Sequence, residues 1–182
     1  MNTVKQLFKG MVLAAVIGFF GVSNAQADFE TLGHQVTVAV PEVLSITADT
    51  DAFTLTFASP DSGAETNSKT VVYSVSANDM GQADGDTAIN ANLDALYDGV
   101  DFKAQVGSYN KIAGNTELAA ANAGFVTMGT SNLGIAKKAN SEAGTDGKLL
   151  EGTLPITYKA VATEDLPFGA QAHYLFITLT TR

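Results

Sequence analysis

Six aspartates crowd one stretch of the chain: Asp79, Asp84, Asp86, Asp94, Asp98 and Asp101, within NDMGQADGDTAINANLDALYDGVD. Calcium needs roughly six to eight oxygens converging on one point, and short Asp/Asn/Gly loops supply them. The ADGD run begins like part of an EF-hand loop. With Asp84 at its fifth position and Gly85 at its sixth, Met80, Gln82 and Ala91 fall where carboxylates should stand. The EF-hand register therefore fails. Two readings stay open, an irregular calcium site drawing on Asp84, Asp86 and Asp94, or a solvated acidic loop, and the second is the simpler.

Catalytic chemistry finds less support. The two histidines, His34 and His173, both fall inside expected strands and form no H-x-x-x-H pair for zinc. GTSNLG (129–134) resembles a nucleophile elbow, but G-x-S-x-G requires glycine at 133, where Leu133 stands. No G-x-x-x-x-G-K phosphate loop occurs, and there is no Trp to build an aromatic sugar platform. LPFGA (166–170) lacks the Thr-Gly of a sorting signal. The residues thus predict a non-catalytic protein with no cofactor beyond that calcium alternative.

The elements that would position these groups read as strands. VTVAV (36–40), FTLTF (53–57), TVVYSVSA (70–77), DFKAQVGSY (101–109), FVTM (125–128), LPITYKAVA (154–162) and HYLFITLTT (173–181) are mostly rich in Val, Ile, Thr, Tyr and Phe. They alternate with period two between Gly, Asn, Asp and Pro clusters. Phe53, Leu55 and Phe57 share one face, and Leu175, Ile177 and Leu179 share another. One wet face and one buried face, repeated about seven times, predicts an all-β antiparallel sandwich. From Asn78 to Gly147 the chain is rich in Gly, Ala, Asn and Asp, which predicts long decorated loops. INANLDALY (89–97) places apolar residues at i, i+4, i+7 and i+8 and predicts a short helix, with NTELAAANAG (115–124) a second candidate.

The beginning of the chain reads as a leader. Lys5 and Lys9 precede the apolar run GMVLAAVIGFFGV (10–22), and Ala25 and Ala27 form an A-x-A cleavage pattern. Residues 1–27 are therefore expected to be a cleaved secretory signal, since the run is shorter than the roughly 20 residues a bilayer span needs. Residues 28–182 are then one domain, without a transmembrane anchor, in the periplasm, on the cell surface or outside the cell. Losing Lys5 and Lys9 leaves 8 basic side chains against 19 acidic ones, a formal charge of −11. Such acidity argues against nucleic acid and anionic lipid as partners, because both attract basic patches. With no cysteine, stability must come from the core or from assembly.

Two end segments carry a resemblance. HQVTVAVPEVLSITADTDAF (34–53) is similar to the start of the major subunits of colonisation-factor fimbriae, and LPFGAQAHYLFITLTT (166–181) resembles the closing strand of pilin-like and spore-coat-U-type domains. The resemblance implies an immunoglobulin-like sandwich lacking one strand and completed by the N-terminal strand of the next subunit. Val36, Val38 and Val40 would fill the groove, by β-strand addition in which main-chain bonds give affinity and alternate side chains give specificity. Pro41, which cannot donate to a ladder, would separate a movable 34–40 strand from the VLSI run that enters the body. The expectation is an exported fimbrial or surface-matrix subunit, its partners copies of itself or other surface proteins. The alternative is a secreted binding module for carbohydrate, calcium or another surface protein.

Overall fold

The computed structural model describes residues 37–142 and 147–181. Ten strands succeed one another along them: β1 (Leu44–Ala48), β2 (Lys69–Ala77), β3 (Thr87–Leu93), β4 (Val100–Val106), β5 (Asn110–Gly114), β6 (Glu117–Ala120), β7 (Val126–Thr127), β8 (Leu133–Ala139), β9 (Leu150–Ala162) and β10 (Leu175–Leu179). All pairings are antiparallel. One sheet has the order β1-β2-β9-β4-β7, with β5 also on β9, and the other has the order β10-β3-β8-β6. The chain divides into the units Met1–Ala39 and Val40–Arg182, and this sandwich belongs to the second.

Alternation decides which residues meet between the sheets. In β2, Val71, Tyr73, Val75 and Ala77 point inward, and in β9 Leu150, Leu154, Ile156, Tyr158, Ala160 and Ala162 do the same. The facing sheet contributes smaller groups, Ala88, Ala91 and Ala136, with Ile89, Leu93 and Ile135. Small residues of one sheet thus share a core with the rings of Tyr73, Phe102 and Tyr158, which lets the layers interdigitate at crystal-like density. Phe53, Tyr158, Phe102 and Tyr97 form a continuous stack, with centroids 5.1, 5.6 and 5.7 Å apart.

β9 is a central strand that contains a proline, an arrangement usually restricted to edges and bulges. Val72, opposite Pro155, turns its own amide and carbonyl towards Asp49, so Pro155 needs no amide on that side. On the other side β9 changes partner, from β5 up to Thr153 to β4 from Ile156 onward. The missing N–H falls in that gap, where the Pro155 carbonyl accepts the Gly107 amide at 2.8 Å. Nearby, a Cβ on Gly152 would lie 2.4 Å from the Tyr109 ring, so only glycine leaves the ring its seat.

The sandwich expected from sequence is there, with ten strands instead of about seven. Both expected helices are strands: INANL lies in β3 and ELAA is β6. The strand ends inside the first expected helix: Ile89, Ala91 and Leu93 alternate inward in β3, while Leu96 and Tyr97, which complete the helical spacing, lie in the connection after it. The region from Asn78 to Gly147, expected as loop insertion, supplies β3 to β8 and so most of the second sheet. FTLTF does turn Phe53, Leu55 and Phe57 inward, but its only pairing is an isolated bridge from Phe57 to Thr66. Among the described residues no helix is long and apolar enough to cross a membrane. The expected leader (1–27), His34 and Val36 lie outside the described residues.

Candidate assembly edge and acidic loops

Of the valines expected to fill a groove, Val38 and Val40 are described, and they are 83% and 77% exposed. Residues 37–43 carry no strand. The chain becomes fixed just after them, and one side chain fixes it. Asn78 ends the alternating run of β2. Its Nδ2 donates to the Pro41 carbonyl at 2.6 Å, and its Oδ1 accepts the Val43 amide at 2.7 Å. Its own amide donates to the Val43 carbonyl at 3.1 Å. This clamp sets Pro41 at the point where the exposed valines give way to β1. The only sequence signal for it is an Asn directly after the strand TVVYSVSA.

Among the described residues five strands have a single partner, β1, β5, β6, β7 and β10, and β1 and β10 are the two that bear on the expected groove. β1 pairs only with β2, and β10 only with β3, and the two lie close to each other. Ile46 of β1 and Leu175 and Ile177 of β10 are half-buried against the core, as are Phe53 and Leu55 of the segment between β1 and β2. Each turns apolar groups inward beside backbone that has no strand neighbour on one side. Unpaired N–H and C=O groups of this kind are a template for another strand. Phe176, on the outward face of β10, and Tyr174, just before the strand, are exposed.

The acidic residues do not converge. Asp84 and Asp86 precede β3, while Asp94 follows it, and eight residues of extended chain span about 25 Å at roughly 3.3 Å per residue. Asp84 accepts both the Ser141 hydroxyl, at 2.5 Å, and the Ser141 amide, at 3.0 Å. Those bonds, helped by Lys138, hold its carboxyl below the usual range. Asp86 accepts the Ala83 amide at 3.1 Å and closes a turn. Asp94 accepts the amides of Ala95 and Tyr174, at 2.8 and 2.9 Å. Each carboxylate serves local structure, and no group of three or more His, Cys, Asp or Glu able to hold a metal occurs among the described residues.

What the acidic loop surrounds was not legible: a lysine. Lys138 of β8 is 2% exposed, and its Nζ donates to the carbonyls of Met80 and Gln82 at 2.8 and 2.7 Å. The loop is closed over an internal cation, with its backbone turned inward. His173 sits elsewhere, its Nδ1 3.4 Å from Asp94 Oδ1 and its ring edge-on to Tyr97 at 4.6 Å. It anchors the start of β10 and has no nucleophile beside it among these contacts. Searched against protein-family models, curated proteins and solved structures, the chain matches none.

Proposed function

We propose that the chain is an exported, non-catalytic structural protein, a fimbrial or surface-matrix subunit that assembles by β-strand complementation. The immunoglobulin-like sandwich of one subunit would accept the N-terminal segment 34–40 of the next, with Val36, Val38 and Val40 as the groove-filling face. One observation carries this: Val38 and Val40 stand exposed immediately before a clamped joint, in a sandwich whose β10 has an open apolar-flanked side. Burying a valine is worth roughly 1.5–3 kcal/mol, so two exposed valines are a standing drive towards a partner strand. The Pro41 joint lets that strand leave the body without breaking a ladder bond.

The test compares the mature chain from Asp28 with the variant Val38→Asp/Val40→Asp and with a chain that begins at Glu42. Size exclusion and electron microscopy should show ladders or filaments from the first and monomers from the other two. Because both valines are exposed, the double variant should melt where the wild-type monomer does. A wild-type chain that stays monomeric, and loses thermal stability on truncation, would place the strand in its own fold and overturn the assembly reading.

A further inference from the structure

A cleft of about 380 Å³ opens at the end of the sandwich where β3 and β4 are joined. Its walls are mixed: Leu93, Leu96, Tyr97, Phe102 and Met128 give apolar surface, and Thr127, Thr163 and the backbone of Gly99 and Gly129 give polar surface. Its mouth is acidic. Asp101 lines it, and Glu164 lies across Gly99, so close that a Cβ on that glycine would be 2.9 Å from Glu164 Oε1. Gly99 has a φ of +66°, so both backbone and space require glycine there. The connections on either side also carry Asp94, Asp98 and Asp165, of which Asp94 accepts the Tyr174 amide and Asp165 the Ser62 amide. Against these five carboxylates stand Lys103, 3.7 Å from Asp101, and His173 beside Asp94. Leu96 of the cleft wall is 63% exposed, so part of the apolar surface is open to a partner.

We propose that this end of the sandwich docks a Lys- or Arg-rich segment of a partner protein, whose apolar anchor side chain fills the cleft. The charge decides the class. An acidic rim around a partly apolar cleft repels anions and steers cations towards it. The carboxylates come from two connections, which fits a segment carrying several charges. Sugar stacking is disfavoured, because the Tyr97 ring is already held between Phe102 and His173. Metal chelation is disfavoured because no group of three or more His, Cys, Asp or Glu able to hold a metal occurs among the described residues. The cleft is distinct from the strand-exchange groove, since none of its lining residues belongs to β1, β10 or segment 34–40.

The probe is a fluorescent peptide with one phenylalanine flanked on each side by two lysines, titrated into the mature chain by anisotropy. Binding should weaken with added salt, and the same peptide with glutamates for lysines should not bind. Asp101→Asn/Glu164→Gln should weaken binding by about tenfold and flatten its salt dependence, as expected for steering charges. Leu96→Ala, at an exposed position, should weaken binding while leaving the salt dependence intact. Thermal melting of each variant confirms that it is folded. Equal binding to wild type and variants would mean diffuse adhesion to an acidic protein and overturn the proposal. So would complete displacement by equimolar phenethylamine, which would make the cleft a small-amine site, and so would no binding at low salt.

Discussion

The hydroxyls of Tyr73 and Tyr158 meet at 2.9 Å inside the sandwich, where Tyr158 is fully buried and Tyr73 is 8% exposed. Burial pushes both phenols above their usual range, Tyr158 the further. Tyr73→Phe would leave the Tyr158 hydroxyl dry and without that partner, at a cost of about 1–3 kcal/mol for an unsatisfied buried polar group. Tyr158→Phe should cost less, because the Tyr73 hydroxyl lies nearer the surface and can recruit water. Removing both hydroxyls leaves matched apolar rings, which is close to neutral. The double variant should therefore be more stable than Tyr73→Phe alone, and the coupling energy of the cycle should be about 1–2 kcal/mol. In a domain of this size that is a difference of roughly 2–8 °C in melting temperature. Urea and thermal unfolding of the four proteins measure it. Additive single effects, with the double variant the least stable, would refute the buried-pair account.

Two further outcomes follow from buried groups. Lys138→Met should destabilise the domain by about 2–4 kcal/mol, since it strands the carbonyls of Met80 and Gln82; a urea midpoint within error of wild type would disprove the internal clamp. Burial, with Glu117 and Glu151 nearby, pushes the Tyr109 phenol up to about 12. Its hydroxyl is buried and, although the Glu151 backbone lies near, completes no hydrogen bond of normal geometry. A raised folded-state pKa gives stability that is intact below the unfolded value near 10 and is lost as pH climbs towards 12. Tyr109→Phe should flatten that alkaline fall between pH 10 and 12 and leave neutral stability equal or higher; an unchanged alkaline slope would contradict it.

Strand β10 and the strand pairs of β2 and β9 could be read from residues alone. Their apolar positions alternate without interruption, so periodicity and burial agree. β3 could not be, because Leu96 and Tyr97 in the connection after it extend Ile89 and Leu93 into a helical spacing. β8 hid for a different reason: NLGIAKKA spends two of its positions on lysines, and only the folded loop 80–86 supplies carbonyls that let Lys138 lie inside. The candidate sites divide in the same way. The Val/Thr alternation before Pro41 marked a segment with apolar groups to bury, but the Asn78 clamp depends on side-chain geometry 37 residues away.

Composition and periodicity by themselves determined the all-β class, the acidic surface and the inward faces of the regular strands, because a pleat with one buried side writes its period directly into the chain. The tertiary structure alone decided which strands were left with an open side and where the carboxylates went. It put a whole strand between Asp86 and Asp94, which dissolved an apparent cluster. It brought Asp101 and Glu164, far apart in sequence, to the mouth of one cleft. Proximity of that kind is a property of sheet order, and nothing local in the residues encodes it.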